Sequence, residues 1–292
     1  MGIGLSIAGG GLKGVAHIGV IKALKELGIE IEAIAGTSSG SLIAALYASG
    51  FSEDEIADIF ANNYKVLTTF EKGPIAKSIG KYIIKRDFDM EGLSKGEKIE
   101  NLVNSVINPR GIIKLQDAKI PVAIATVDTI SMKECIFLSQ KYDLENTDKI
   151  DYIYDDIEIG KAVRASMSFP GIFTTCNFGK YNFIDGGTKD NLPVQILKDI
   201  GIEKVIGVSF NLDNYEPTGK IFDVIIRAVD IFSLKDVEKA REVADVSLVI
   251  ETGDTSLLEI SDMKAVIQSG YNEAMKHKEE LLKLKWFKYY LW

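Results

Sequence analysis

Cysteine and histidine are both scarce in this chain of 292 residues, with two of each. Cys135 and Cys176 stand far apart in unrelated contexts, so no disulfide framework is expected, which suits a reducing cytoplasm. His17 and His277 form no Cys/His cluster at ligand spacing, so neither a metal site nor a cofactor is expected. Only Asp87-Phe88-Asp89-Met90-Glu91-Gly92 imitates a cation loop. Its twelfth position would be Lys98, where calcium needs a bidentate glutamate, and the resemblance fails there. No apolar run reaches the length of a membrane helix. No basic, then apolar, then small-residue start marks a secretory leader. Positive charge is in deficit, with 34 Lys and Arg against 42 Asp and Glu for a net charge of −8, which argues against a nucleic-acid partner. Repeats and low-complexity stretches are absent.

Apolar residues make up 46% of the chain, enough for a sizeable core. At this length an α/β protein commonly forms one unit, so a single domain over 1–292 is expected. Met1-Gly2-Ile3-Gly4-Leu5-Ser6 has the spacing for N-myristoylation and reads equally as the lead-in to a first core strand. Strand and helix patterns then alternate. Strands are expected near 3–8, 31–35, 121–127, 134–138, 181–184, 204–210 and 246–250. Helices are expected near 15–27, 39–50, 159–167, 194–200, 221–232, 236–244 and 261–285, with a capping box at Ser52 to Glu55 opening another. Residues 64–118 are less regular and fit either a lid or peripheral helices. The alternation predicts a layered α/β/α fold with a largely parallel central sheet.

Ser38 sits at the centre of Gly36-Thr37-Ser38-Ser39-Gly40, between an apolar strand pattern and the apolar helical run Leu42 to Leu46. A nucleophile on a sharp strand-to-helix turn requires this arrangement, with small residues on both sides so that the chain can fold back. A second glycine turn, Gly9-Gly10-Gly11-Leu12-Lys13-Gly14, follows the first strand. It fits the dinucleotide fingerprint Gly9-x-Gly11-x-x-Gly14, which demands an acidic residue at the carboxyl end of the second strand. That end is Gly36-Thr37-Ser38. Glu30 and Glu32 lie at the other end, so the dinucleotide reading fails its own test. The rival reading is an oxyanion hole, in which backbone N–H groups are worth about 3–4 kcal/mol each. Adjacent parallel strands would bring both turns to one edge of the sheet.

A nucleophilic serine needs a base. His17 falls one helical turn beyond the glycines and reads as a packed helix residue. His277 lies on the charged face Lys276-His277-Lys278-Glu279-Glu280 and reads as solvated. With neither histidine persuasive, a carboxylate base becomes attractive, and Asp185 is the candidate, ending a short strand before Gly186 and Gly187. An ordinary aspartate with pKa about 3.9 is a weak base and would need partial desolvation. An Asp-Gly-Gly sequence alone is also a plain turn.

Taken together, these segments resemble the patatin-like phospholipase family. Gly9 to Gly14 resembles its oxyanion loop, Gly36 to Gly40 its nucleophile elbow, and Ala165-Ser166-Met167-Ser168-Phe169-Pro170 its Ala-Ser-x-x-x-Pro block. Asp185-Gly186-Gly187, with Asn191 and Pro193 after it, resembles its catalytic aspartate motif. The resemblance spans roughly residues 3–210. It implies a Ser38–Asp185 dyad without histidine, oxyanion donors among Gly9, Gly10, Gly11 and Leu12, a lipid acyl-ester substrate, and no metal in the chemistry. Two departures stand out: Lys13 replaces the family's usual arginine and loses its planar fork, and Ala8 stands where some members have aspartate. Esterase, thioesterase or acyl-transfer chemistry on other acyl substrates stays open. At the carboxyl end, Lys283 to Trp292 holds both tryptophans beside lysines. Such a segment suits peripheral contact with a membrane surface and suits packing on the protein itself equally well.

Overall fold

The computed structural model describes residues 2–68, 92–211, 221–252 and 262–286. Residues 87–91 of the imitation cation loop, the rest of 69–91 within the 64–118 stretch and the last six residues lie outside the described residues. Strand β1 (Ile3–Ile7) leads through a 3-10 turn (Gly11–Val15) into helix α1 (Ala16–Glu26). Then come β2 (Ala33–Thr37), α2 (Ser39–Ala48), α3 (Glu53–Thr68), β3 (Gly92–Ser94) and α4 (Glu97–Ile107). The middle of the chain supplies β4 (Val122–Asp128), β5 (Glu134–Leu138), β6 (Ile150–Ile153), α5 (Ile159–Ser166), β7 (Gly171–Phe173), β8 (Cys176–Phe178) and β9 (Tyr181–Asp185). The remainder comprises α6 (Val194–Asp199), β10 (Lys204–Phe210), α7 (Ile221–Val243), β11 (Val246–Ile250), α8 (Met263–Lys276) and α9 (Lys278–Trp286).

The main sheet runs β11-β10-β1-β2-β4-β5-β6. Its first five strands are mutually parallel, and β5 turns back antiparallel to β4. Alternating residues feed two apolar layers, as a strand's period of two requires. Leu5, Ile7, Ile34, Ile206 and Val208 face α1, α2 and α8, whereas Ala33, Ala35, Ala123 and Val205 face α6 and α7. The alanines keep that second layer thin, so α6 can lie close to the strands. This is the expected layered α/β/α arrangement with a mostly parallel sheet. No helix among the described residues is long and apolar enough to cross a membrane.

Several elements differ from expectation. The two helices anticipated at 221–232 and 236–244 are one continuous helix, α7. Nothing between them breaks a helix, and Ser233 and Val237, one turn apart, are buried on the same side. The single helix anticipated over 261–285 is instead two, parted at His277. That imidazole sits between Glu273 and Glu280, 3.1 and 3.3 Å away, so the charged-face reading of His277 holds. Of the irregular 64–118 stretch, residues 64–68 and 92–118 are described, and α4 buries Ile99, Val103 and Ile107 in the main apolar core. The capping box at Ser52 is formed, with the Ser52 N–H donating to Glu55 at 2.8 Å.

Candidate active site

Strand pairing decides where the site assembles. β2 pairs with β4 only as far as Thr37, opposite Ala125. The next residue of β4, Thr126, pairs instead with Asp185 of β9, which arrives antiparallel along the same flank. β5 occupies the other flank. Two strands thus meet end to end beside β4, one ending at Thr37 and the other at Asp185. Ser38 and Asp185 are brought together at that junction.

Ser38 lies between β2 and α2 with φ 53° and ψ −124°, a left-handed backbone that non-glycine residues rarely adopt. Such strain is of order 1–3 kcal/mol and persists only where neighbours over-determine it. Here they do. The Ser38 N–H donates to Ser166 Oγ at 2.8 Å, and the Ser38 carbonyl accepts from the Ser41 amide at 2.9 Å and the Ser41 hydroxyl at 2.6 Å. The flanking glycines are needed for close approach. A Cβ on Gly40 would overlap the Ile7 carbonyl oxygen, and one on Gly36 would lie 2.6 Å from Gly40. Gly14 is pressed against Ser39 in the same way, and Gly186 against the Ala125 carbonyl.

Asp185 is buried. Its Oδ1 accepts the Gly187 N–H at 2.8 Å, and its own N–H donates to the Ser168 carbonyl at 3.0 Å. Burial pushes its carboxyl up to about 6, against the opposing pull of the Ser38 side chain and the Gly187 N–H. Oδ2 is buried with no partner in hydrogen-bond geometry. The Ser38 hydroxyl is therefore adjacent to the carboxylate without closing a well-formed bond, a common state of catalytic pairs before substrate enters. The Ala165 to Pro170 block holds both groups. Besides Ser38, the Ser166 hydroxyl bonds the Ala125 carbonyl at 2.7 Å, and Ser168 supplies the carbonyl under Asp185. A Ser166→Ala variant leaves the Ser38 N–H and Ala125 carbonyl short of partners. It is expected to lose about 1–3 kcal/mol of stability and about ten- to hundredfold in turnover through misplacement of Ser38. Urea denaturation and ester turnover on the same preparation check both.

The glycine turn lies against Ser38: a Cβ on Gly9 would stand 2.9 Å from the Ser38 Cβ. Its amides differ in direction. The Gly9 N–H is taken by Asn191, through the side-chain oxygen at 3.1 Å and the main-chain oxygen at 3.3 Å. The Gly10 N–H donates to Ser39 Oγ at 3.2 Å. The first bond inside the 3-10 turn runs from the Lys13 N–H to the Gly10 carbonyl, so the Gly11 and Leu12 amides precede the ladder, as at any helix start. Gly9, expected among the oxyanion donors, is instead spent on fixing the turn to Asn191. Lys13 is buried beside a second, polar chamber lined also by Asn191, Ser209 and Arg241, not in the cleft that holds Ser38.

That cleft encloses about 940 Å³, part of it open to solvent. Gly9 to Leu12, Ser38, Asp185, Gly187 and Asn191 form its polar floor, and Leu42, Phe60, Met167, Phe169, Ile172, Phe173 and Val229 its apolar walls. His17 contributes nothing to it. Burial lowers its imidazole to about 4, Nε2 donates to the Ala8 carbonyl at 2.8 Å, and the ring packs on Phe210 with centroids 4.9 Å apart. Phe60 and the α7 contributions Val229, Asp230 and Ser233 carried no sequence signal, since each sits in an ordinary helical pattern.

A model of the patatin-like phospholipase family matches residues 5–198. The chain belongs to the patatin-like phospholipase family. The match takes in both glycine turns, Ser38, the Ala165 to Pro170 block and Asp185, and it ends before α7. An uncharacterised NTE family protein of Mycobacterium bovis is 26% identical over 251 residues, 83% of this chain and 60% of the relative. Lysophospholipase NTE1 of Coccidioides immitis is 30% identical over 219 residues, 74% of this chain and 12% of that protein. The chain thus spans 60% of the first relative's length and 12% of the second's. Among solved patatin-like folds, VipD from Legionella pneumophila superposes with a TM-score of 0.54 at 14% identity, covering 97% of this chain and 67% of VipD. ExoU from the type III secretion system of Pseudomonas aeruginosa gives 0.51 at 16%, covering 97% and 53%. These two likenesses concern the fold.

Proposed function

We propose that this chain is a serine acyl hydrolase that cleaves lipid esters of the phospholipase A or lysophospholipase kind. The observation that carries the reading is the meeting of Ser38 and a buried, partnerless Asp185 Oδ2 at the floor of an apolar-walled cleft. In the proposed first step Asp185 accepts the Ser38 hydroxyl proton as the oxygen attacks the ester carbonyl. The Gly11 and Leu12 amides, with Gly10 once Ser39 releases it, hold the tetrahedral oxyanion. The alcohol leaves with the proton from Asp185. A water then gives a proton to Asp185 as it attacks the acyl-enzyme; the Ser38–acyl bond breaks, Asp185 passes that proton to Ser38 Oγ, and the fatty acid is released. Gly36, Gly40, Gly186 and Gly187 shape the turns, and Lys13 and Gly14 anchor the glycine loop. The apolar walls suit an acyl chain, and a lysophospholipase relative sharing 30% identity lends support.

A fluorophosphonate probe is expected to label wild-type protein at Ser38 and to leave Ser38→Ala unlabelled, by mass spectrometry of the digested protein. A His17→Gln, His277→Ala double variant should be labelled as fast as wild type. Labelling elsewhere, or a collapse with the histidines, refutes the dyad. The carboxyl-terminal aromatic and basic segment is proposed to add peripheral lipid contact, and it forms one arm of the vesicle experiment below.

A further inference from the structure

The edge of the sheet that carries Ser38 also gathers most of the large apolar side chains that face solvent. Among the described residues these are Ile113, Ile130, Met132, Tyr154, Val224, Ile231 and Phe232. Five of the seven belong to two protrusions at that edge. The other two do not: Tyr154 follows β6, which runs with β5 and against β4, so it emerges at the opposite edge. Ile113 bonds to the start of α5 beside it. Scattered apolar residues on a surface need no explanation, but a concentration beside a cleft does.

The first protrusion is α7. Near its carboxyl end Arg241 already bonds Ser209 and Phe210, the last residues of β10, at 2.9 and 2.8 Å. The helix before it, roughly 30 Å long at 1.5 Å per residue, therefore reaches mostly past the end of that strand. One side of this overhang lines the cleft through Val229, Asp230 and Ser233. The other side presents Val224 (54% exposed), Ile231 (61%) and Phe232 (71%) to solvent. Positions 224 and 231 are two turns apart on one stripe, with 232 beside it. A helix whose outer stripe is as apolar as its inner one is not completed by water.

The second protrusion is the turn between β4 and β5. β4 runs parallel to β2, so this turn emerges at the Ser38 edge. It is a built turn: the Ser131 N–H and hydroxyl donate to Asp128 Oδ2 at 2.8 and 2.7 Å. It holds up Ile130 (70% exposed) and Met132 (71%). Met132 has φ 60°, a left-handed backbone in which a long unbranched side chain is uncommon.

We infer that these two protrusions form a lipid-docking face, by which the chain seats its cleft on a membrane or micelle surface through apolar insertion. The occupant follows from the placement. The same helix that walls the acyl cleft carries the exposed stripe, so a surface met by Ile231 and Phe232 is the surface from which an acyl chain would enter. A net charge of −8 offers no general attraction to anionic headgroups, so insertion and not charge drives this contact. The inference rests on the lipid-ester reading of the cleft for its purpose, but its test is separable.

The experiment uses full-length Ser38→Ala protein, which cannot turn over lipid, and phosphatidylcholine vesicles in a co-sedimentation assay. Binding is expected at low and high salt alike. It should weaken about tenfold or more in an Ile231→Ser, Phe232→Ser variant, as loss of two buried large side chains implies, and measurably in Ile130→Ser, Met132→Asn. With Ser38 restored, the α7 variant should hydrolyse a monomeric chromogenic ester at the wild-type rate and vesicle lipid more slowly. Equal sedimentation of wild type and both variants overturns the proposal. So does binding that vanishes with salt or with a chain ending at Trp286, or a dimer in sedimentation velocity that the α7 substitutions dissolve. Absent ester turnover with intact, face-dependent binding would strike the hydrolase reading and leave the docking face standing.

Discussion

Asp185→Asn is expected to abolish ester turnover and, at pH 8, to make the protein more stable. Both effects arise from the same burial. The carboxyl of Asp185 rises from 3.8 to about 6, so the folded protein holds its proton more tightly than the unfolded chain does. Its contribution to stability is complete below about pH 3.8 and is lost as pH rises through about 6. A shift of about two units corresponds to something of order 3 kcal/mol carried as a handicap at neutral and alkaline pH. Asparagine keeps the acceptor for the Gly187 N–H and removes the charge. The variant should therefore melt several degrees higher at pH 8, with the gain vanishing near pH 3.5. Turnover should fall by about 10²- to 10⁴-fold, the range for loss of a positioned base. In the wild type, activity should rise with pH through about 6 as the base ionises. Calorimetry at the two pH values and a pH–rate profile check these outcomes. A variant less stable at pH 8 would show that the carboxylate is better satisfied than its empty Oδ2 indicates.

Gly270→Ala is expected to destabilise the whole chain by about 3 kcal/mol or more, at the upper end for an added methyl in a packed core. α8 crosses α1 at a double glycine contact. A Cβ on Gly270 would overlap the Ala16 carbonyl oxygen, and one on Gly19 would overlap the Ile267 carbonyl oxygen. In both places the obstacle is backbone, so no side chain can swing aside. The helices must separate, and with them Ile18, Ile21 and Val266, which share the core. Chemical denaturation should show a lower midpoint with an unchanged slope. Gly201→Ala, where a Cβ would meet nothing within 4 Å but φ is 92°, is a useful comparison: its effect is confined to local strain.

Motifs whose chemistry is local were readable in the sequence. Ser38 needed only small neighbours, a strand before it and a helix after, and all are present. Asp185 is a candidate on the sequence because neither histidine stands where a base is expected, and its role comes from the resemblance of Asp185-Gly186-Gly187 to the family's aspartate motif; His17 is buried and does not line the cleft. What no local pattern could supply was direction. The four residues Gly9 to Leu12 look equivalent on paper, yet Asn191, far along the chain, claims the Gly9 amide and Ser39 claims that of Gly10. The share of α7 in the cleft was hidden for a similar reason. Its cleft side mixes Val229 with Asp230 and Ser233 while its outer stripe carries Val224, Ile231 and Phe232, so hydrophobic periodicity does not mark the inward side. Likewise β3, β7 and β8 are three residues each, too short for an alternating pattern to declare itself.

The end-to-end meeting of β2 and β9 along β4 has a consequence for how the protein is made. Neither strand touches the other through a ladder of its own; each knows the other's position only through β4. The distance between Ser38 and Asp185 is thus measured by consecutive rungs at Ala125 and Thr126. No fragment lacking any of the three strands can form the pair, and the last of them emerges from the ribosome long after the first. Non-local pairings of this sort are slow to form. Recovery of ester hydrolysis during refolding would then lag behind recovery of helix signal, and labelling of Ser38 would serve as a clock for completion of the sheet.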